Sequence, residues 1–207
     1  MLNGNPLIKY SIDYSFKSKI VDATIVSTDS EEIAKIAINF NAEVPFIRPI
    51  NLAEDDVQDY PVIRHALDTI ENIIASHLEV IILLRPTSPL RIPGLIEKGL
   101  DLLKADNRGT SVRSVTVSKE HPFRQWCLKD KYIIGYENKD YEPYNLPRQK
   151  LPKVFFQTGD IEIIPRKTII EGSVSGSKVI PLIINHDEML DIDHPSDIIN
   201  AEKKINS

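Results

Sequence analysis

Apolar and polar positions alternate with two different periods along the first part of the chain. The β-branched run "ATIVST" at 23–28 and the stretch "EVPFIR" at 43–48 are typical of short strands. The segment between them, "DSEEIAKIAINFNA", carries apolar residues at helical spacing, which predicts a helix. Asp29, followed three residues later by Glu32, has the form of an N-terminal capping box for that helix.

The same alternation continues downstream. The stretch "DVQDYPVIRHALDTIENIIASH" predicts a helix with Pro61 near its start, and "EVIILLR" at 79–85 is apolar on both faces, which predicts a strand buried in a parallel sheet. A crossover helix, "IPGLIEKGLDLLKA", and another strand, "TSVRSVTVS", come next. This order predicts an α/β fold: a Rossmann-like, mostly parallel sheet flanked by helices.

Residues 118–153 interrupt this rhythm, because prolines, aromatic residues and charges crowd together there. Such a segment indicates either an irregular lid or a protruding arm that packs on another subunit. Strand-like stretches return with "KVFFQTGDIEIIP" and "SKVIPLII", and "PSDIINAEKKI" predicts a closing helix. We therefore expect a single domain over 1–207 with an inserted arm at 118–153.

Composition and charge exclude several classes of partner. The formal net charge is −5 and no block of Lys and Arg stands out, which argues against nucleic acid or an anionic membrane. Every apolar run is far shorter than the ~18 residues of a membrane helix. The single cysteine, Cys127, excludes an internal disulfide and a cysteine-rich metal site, and it favours a reducing, cytoplasmic setting.

Three polar stretches follow predicted strands: "STDS", "RPTSPLR" and "DIDHP". Ligands of open α/β sheets bind outside the carboxyl ends of the strands, so these stretches predict a common site. In an extended segment Asp191 and Asp193 project from the same face, and a divalent cation such as Mg²⁺ would remove their mutual repulsion. The alternative is that Asp193 or His194 caps a helix beginning at Pro195.

The stretch "LLRPTSPLR" has two prolines that fix the backbone, two hydroxyls at Thr87 and Ser88, and flanking arginines at Arg85 and Arg91. It predicts either part of an anion-binding site or a stiff turn with two solvated arginines. Arg48, just after the second predicted strand, is a candidate ligand-binding residue or a surface side chain. No nucleophile elbow, HExxH motif or Walker loop is present.

Taken in order, "IVSTDS", "RPINLAEDD", "LLRPTSPLR", "HPFR", "PRQKLP" and "LDIDHPSDIINAE" closely resemble the acylneuraminate cytidylyltransferases. These are the CMP-sialic acid synthetases and relatives that activate other nine-carbon 2-keto sugar acids, with a nucleotide-diphospho-sugar transferase-like fold. The resemblance runs from residue 2 to about 204. It implies transfer of CMP from CTP to the sugar acid, release of pyrophosphate, Mg²⁺ as cofactor, and a homodimer.

The resemblance also assigns roles to residues. It implies that Asp191 and Asp193 are the catalytic metal-binding pair. Further roles fall into two sets. The nucleotide-binding set is Arg48, Gln58 and Asp59; the sugar-binding set is Arg85, Thr87, Ser88, Arg124 and Arg148. The last two arginines reach the sugar from the partner subunit in the family, which would make 118–153 a dimerisation arm.

The sequence departs from the family pattern in three places. Arg85 stands where many sialic acid synthetases have Gln, and "QTGDIEI" stands for "NGAIY", so that Thr158 and Glu162 replace Asn and Tyr. The family's first strand and phosphate-binding loop would lie upstream of Met1, so we expect Met1 to be an internal start of a longer working protein. The rival hypotheses are a truncated, non-catalytic subunit that dimerises or binds sugar only, and a nucleotidyltransferase using another base.

Overall fold

The computed structural model describes residues 1–137, 142–188 and 190–205. The helices are α1 (Leu7–Phe16), α2 (Glu31–Asn39), α3 (Asp59–Ile74), α4 (Leu95–Ala105), α5 (Arg166–Ile170) and α6 (Pro195–Ile205). The strands are β1 (Val80–Leu83), β2 (Ser111–Val117), β3 (Trp126–Lys129), β4 (Tyr132–Gly135), β5 (Phe155–Pro165) and β6 (Val179–Ile183). No helix in the described ranges has the length and apolar character needed to cross a membrane.

The central sheet has four described strands in the order β1-β5-β2-β6. Strands β2 and β6 pair in parallel, whereas β5 runs antiparallel to both β1 and β2. Three of the four strands therefore point the same way, and the predicted α/β fold with a mostly parallel sheet is confirmed. In the described part of the chain β1 pairs with β5 alone, and its four residues are half-buried. The prediction of a strand buried inside a parallel sheet was wrong for β1.

Helices cover both faces of this sheet. On one face Leu95 and Ile96 of α4 pack against Ile163 of β5 and Leu182 of β6. Neighbouring β5 residues point to opposite faces, and Ile164 accordingly joins Ile63 and Leu67 of α3 in a second cluster. The long strand β5 thus belongs to both cores, and its central residues are fixed from above and below.

The two strands predicted near the N-terminus are reduced to one parallel bridge between Ile25 and Glu43. The Val26 N–H donates to the Glu43 carbonyl at 2.9 Å, and the Glu43 N–H donates to Thr24 at 2.8 Å. The next donor on the second segment would be Pro45, which has no N–H, so the ladder stops there. The two segments lie side by side as predicted, but they do not form a ladder.

The predicted cap of α2 was also wrong by one residue. Ser30 occupies the N-cap position, and its hydroxyl accepts a hydrogen bond from the Ile33 N–H at 3.3 Å. Asp29 instead forms an ion pair with Arg48. Ser and Asp are both good capping residues, so a sequence with the two side by side does not decide which one takes the position.

Residues 118–153 contain a two-stranded antiparallel hairpin, β3–β4, surrounded by short 3-10 turns. Every residue of β3 is exposed, and so are the first three residues of β4. Trp126 at the base packs on Tyr144, with ring centroids 4.4 Å apart. Part of the segment, 138–141, lies outside the described residues, and its assignment as a lid or a dimerisation arm stays a prediction.

Candidate functional site

The segment that carries the two aspartates is fastened to the core by the residue between them. Ile192 is buried and packs with Leu2 and Ala201, while Asp191 is half-buried and Asp193 exposed. Because alternate residues of an extended segment point to opposite sides, both carboxylates project away from this cluster. The backbone N–H of Ile192 donates to the Thr87 carbonyl at 2.8 Å, which ties the segment to the loop after β1.

The start of α6 is capped by a residue inside the helix. The Asp197 carboxylate accepts hydrogen bonds from the backbone N–H groups of Asp193 (3.1 Å) and His194 (2.8 Å). Among the described residues, the Asp193 carboxylate itself has no hydrogen-bonding partner. The capping alternative for the Asp193 side chain was therefore wrong, and this carboxylate is available to a ligand.

The loop after β1 contacts this segment through Thr87 and Ser88. Ser88 is only 1% exposed, and its hydroxyl lies 3.5 Å from Asp191 Oδ1. Arg91 at the end of the loop is buried as well, and burial lowers the pKa of its guanidinium to about 10. Its N–H groups donate to Ser11 Oγ and to the carbonyl oxygens of Arg85 and Asp160. The alternative of two solvated arginines was wrong for Arg91, which holds the loop in place.

A wide bulge in β5 brings that strand into the site. Arg113 of β2 pairs with Glu162, and Val115 pairs with Gln157, so Ser114 alone faces residues 158–161. The Ser114 hydroxyl accepts hydrogen bonds from the Thr158 hydroxyl at 2.8 Å and from the Ile161 N–H at 3.1 Å. Bulges next to functional sites redirect side chains, and this one turns Gly159 and Asp160 toward the two loops.

Gly159 allows the loops to approach the strand closely. A Cβ on Gly159 would lie 2.4 Å from Ser88 Oγ and 3.7 Å from Asp191 Oδ2. Asp160 beside it is 2% exposed, and its Oδ2 has no hydrogen-bond partner among the described residues. Burial raises the pKa of the Asp160 carboxyl, against the opposing effects of the Thr158 hydroxyl and of Arg91.

These observations test whether the site suits Mg²⁺. No group of three or more His, Cys, Asp or Glu side chains within the described ranges already forms a metal cage. Mg²⁺ usually takes only one or two carboxylates and completes its coordination with water and phosphate oxygens. Asp191 and Asp193 would supply those two, and the Asp160 carboxyl, which has an unpartnered oxygen, interacts electrostatically with Asp191. The residues present fit this ion.

Ion pairs join four elements beside the bulge. Glu162 of β5, 3% exposed, binds Arg85 at 3.0 Å and Arg113 at a shorter distance. Arg85 also binds Asp59 at the start of α3, and Arg113 Nη1 donates to Gln157 at 2.8 Å. The Asp59 carboxylate raises the pKa of Arg85 above its ordinary value. The two departures at 85 and 162 are thus partners in one network.

A polar cavity of about 410 Å³ lies against this network, between α3 and the sheet. Its lining residues are Val57, Gln58, Asp59, Tyr60, Arg113, Gln157, Val174 and Ser175. Gln58 and Asp59, which the resemblance placed with the nucleotide, therefore lie beside Arg85, which it placed with the sugar. Arg113 was missed, because nothing in the sequence of β2 distinguishes it from a surface arginine.

Arg48 lies apart, next to the Ile25–Glu43 bridge. Its Nη2 is 3.4 Å from Asp29 Oδ1, and its backbone N–H donates to Thr28. Arg48 Nε and Ser27 Oγ are both buried without a hydrogen-bond partner in the described part of the chain. Ser27 was singled out only as part of "STDS"; its unpartnered hydroxyl makes it a candidate beside Arg48.

Arg124 and Arg148 both lie in the 118–153 segment and are exposed. Arg124 Nη2 donates to the Leu146 carbonyl, two residues before Arg148, at 3.2 Å. Across the described ranges, no hydrogen bond or ion pair joins either guanidinium to Asp191 or Asp193. The structure therefore groups these two arginines with each other and with the hairpin.

Comparison with known proteins decides the family. A family model described as "Cytidylyltransferase" matches residues 1–141. The chain belongs to the cytidylyltransferase family. It is 31% identical to CMP-N,N'-diacetyllegionaminic acid synthase of Legionella pneumophila, over 98% of this chain and 86% of that protein. It is 28% identical to the post-translational flagellin modification protein B of Campylobacter coli, over 95% of this chain and 82% of that protein.

A solved structure shares the fold of this cytidylyltransferase. It is CMP:2-keto-3-deoxy-manno-octonic acid synthetase in complex with CTP, with a TM-score of 0.71. The match covers 100% of this chain and 90% of that one at 12% identity, so it bears on the fold alone. The predicted family and the predicted enzyme class, a nucleotidyltransferase, are confirmed.

Proposed function

We propose that this cytidylyltransferase transfers CMP from CTP to a nine-carbon 2-keto sugar acid of the sialic acid type, releasing pyrophosphate with Mg²⁺ as cofactor. The observation that carries the proposal is the pair Asp191 and Asp193, held on one side of their segment by buried Ile192. Relatives named for the CMP derivative of a diacetylated sugar acid support the choice of substrate class.

In the proposed reaction the anomeric hydroxyl of the sugar attacks the α-phosphorus in line. The new phosphorus–oxygen bond forms as the bond to pyrophosphate breaks, so the enzyme mainly positions groups and neutralises phosphate charge. Mg²⁺ held by Asp191 and Asp193 would supply much of that neutralisation. The chain's own contribution is to keep both carboxylates in place through Ile192, Thr87 and Ser88.

Arg48 and Ser27 are our candidates for binding CTP. Each has a buried polar atom without a partner in the described part of the chain, and both atoms are hydrogen-bond donors suited to phosphate or ribose oxygens. The positive charge of Arg48 is only partly offset by Asp29 at 3.4 Å. A bound triphosphate would complete both sets of hydrogen bonds.

The cavity beside Arg85 is our candidate for the non-reacting end of the sugar. Its charges are balanced within the protein, since Glu162 pairs with both arginines and Asp59 pairs with Arg85. A balanced, hydrogen-bonding cavity suits hydroxyl and acylamino groups better than a second carboxylate. Gln58 and Gln157 add amide groups to the lining. In this assignment Asp59 serves the sugar subsite more directly than the nucleotide.

A homodimer is part of the proposal. Apolar side chains of the β3–β4 hairpin, such as Leu128 at 77% exposure and Ile133 at 60%, are open to solvent in the single chain. An isolated two-stranded hairpin is marginally stable at best, and exposed apolar patches mark interfaces. Docking of the hairpin on a second subunit would carry Arg124 and Arg148 to the partner's sugar acid.

The test is a reaction of the purified protein with CTP, MgCl₂ and each of three acids: N-acetylneuraminic, N,N'-diacetyllegionaminic and pseudaminic acid. We expect pyrophosphate and a CMP-sugar in equal amounts with at least one of them, and loss of both with EDTA or in Asp191→Asn. Sugar binding without pyrophosphate release would favour the non-catalytic alternative. Product formed from ATP, GTP or UTP in preference to CTP would favour a nucleotidyltransferase of different base specificity.

A further inference from the structure

Asp160 has a buried carboxylate oxygen that the protein does not satisfy. The residue is 2% exposed, and its Oδ2 lacks a hydrogen-bond partner among the described residues. An unpaired buried polar atom costs roughly 1–3 kcal/mol, so native proteins normally supply it with a side chain, a water or a ligand. Some group from outside the chain is therefore expected at this oxygen.

The positive charge nearest to Asp160 does not fill that position. Arg91 acts on the carboxylate through its charge, but its Nε donates to the Asp160 carbonyl oxygen. Its other groups donate to Ser11 Oγ, at 3.0 Å, and to the Arg85 carbonyl. The guanidinium thus balances the charge of Asp160 without using its free oxygen.

The backbone next to Asp160 lies close to the proposed metal-binding pair. Asp191 is the other charged residue that acts on the Asp160 carboxylate. Asp191 Oδ2 lies 3.7 Å from the point where a Cβ of the adjacent Gly159 would be. The two carboxylates therefore repel each other, and a cation or an ordered water between them would reduce this repulsion.

We infer that Asp160 Oδ2 accepts a hydrogen bond from water bound to the cation that Asp191 and Asp193 hold, so that Asp160 is a positioning residue of the metal centre. This inference rests on the proposed function. Mg²⁺ keeps several of its waters, and outer carboxylates that orient them change metal affinity about 10–100-fold. Because the described carboxylates form no ready-made cage of three, the contact is assigned to a metal-bound water.

The competing explanation is that Asp160 serves only as a counter-ion for Arg91. Both explanations make Asp160 matter for folding stability, since a buried charge would lose its partner. Only the inference requires the affinity for a divalent cation to change. Cation affinity in the absence of nucleotide is therefore the decisive quantity.

The experiment measures Mn²⁺ binding to the nucleotide-free full chain by electron paramagnetic resonance, because Mn²⁺ shares the oxygen-rich octahedral preference of Mg²⁺. Asp160→Asn should weaken binding about tenfold or more while the melting curve stays cooperative. Asp101→Asn is the matched control, since Asp101 is exposed on α4, and it should bind like the wild type. Asp191→Asn should lose most of the binding.

The outcomes distinguish a failure of the inference about Asp160 from a failure of the proposed function. Wild-type affinity in Asp160→Asn, alongside lost affinity in Asp191→Asn, would overturn the inference and leave the proposed function standing. Wild-type Mn²⁺ affinity in Asp191→Asn would contradict the proposed metal site, and with it the proposed function. If Asp160→Asn does not fold, a crystal structure of the wild type with Mn²⁺ decides: a metal-bound water within about 3.2 Å of Asp160 Oδ2 supports the inference, and its absence refutes it.

Discussion

Gly159 determines how near the two loops of the site can come to β5. A Cβ at this position would overlap Ser88 Oγ at 2.4 Å and would be in van der Waals contact with Asp191 Oδ2 at 3.7 Å. Ser88 is 1% exposed and enclosed by the stiff loop between two prolines, so it has little room to move away. The absence of a side chain at Gly159 thus allows the close spacing between β5, the loop after β1 and the segment of Asp191 and Asp193.

Gly159→Ala should displace Ser88, whose hydroxyl lies 3.5 Å from Asp191 Oδ1, and lower kcat/KM about 100-fold, because an active-site shift near 1 Å can have an effect of that size. Overpacking should also cost about 1–3 kcal/mol of stability. Steady-state kinetics and thermal melts measure the two effects separately.

Gly172→Ala is the control for general destabilisation. Gly172 has open space around its Cβ position and a φ of +92°, so alanine there strains the backbone without crowding the site. It should lower the melting temperature and leave kcat/KM unchanged. Equal loss of kcat/KM in both variants would show that the Gly159 effect is general destabilisation.

At the scale of residues, local chemistry could be predicted and long-range pairing could not. The spacing of Asp191 and Asp193 places both carboxylates opposite buried Ile192, as the two-residue period requires. In the sequence, Glu162 is an acidic residue with an apolar neighbour on either side in β5. Its partners, Arg85 and Arg113, are 77 and 49 positions away in the chain, and no local sequence pattern predicts these pairs.

At the scale of elements, the network around Glu162 ties β5 to α3, to β2 and to the loop after β1. Breaking a buried ion pair by removing one partner leaves the other charges uncompensated and typically costs about 3–5 kcal/mol. The Glu162 side chain is 4% exposed and contacts two guanidinium groups, so its ion pairs count as buried.

Glu162→Gln should therefore lower the free energy of unfolding by about 3–5 kcal/mol, measured by urea denaturation. Glu171→Gln is the matched control. Its pair with Lys167 is exposed and 3.8 Å long, so its loss should cost under about 1 kcal/mol. A Glu162→Gln variant as stable as this control would contradict the importance of the network.

The positions of the main helices follow from periodicity. The lengths and pairing of the strands depend on proline positions and on distant parts of the chain. The helices α3, α4 and α6 were predicted close to where they lie, because an apolar face repeated over several turns is a strong signal. The N-terminal strand pair failed at Pro45, which removes one donor from the ladder. The outer position of β1 depends on β5, a strand some 80 residues later that no local pattern pairs with it.

At the scale of the whole molecule, the β3–β4 hairpin carries apolar side chains that the single chain leaves exposed to solvent. Leu128 and Ile133 are directly opposite across β3 and β4, so their side chains share one face. Trp126 on the same face is partly covered by Tyr144, but the outer pair has no such cover. This is the face that we expect the second subunit to bury.

The wild type should be a dimer in size-exclusion chromatography with light scattering, and Leu128→Lys/Ile133→Lys should be a monomer. That monomer should also lose activity, since Arg124 and Arg148 would no longer reach a partner's site. Ile73→Lys, at an exposed apolar position on α3, is the control and should remain dimeric. A fully active monomeric hairpin variant would exclude the intersubunit role.

The contact between an early and a late segment of the sequence, residues 2–3 and 201–202, bears on synthesis at the ribosome. Ile192 is buried in a cluster with Leu2 and Ala201, and the Asn3 N–H donates a hydrogen bond to Glu202 across 199 positions. Domains of such high contact order close their longest-range contacts late. We therefore expect Asp191 and Asp193 to reach their final positions only after α6 has left the exit tunnel.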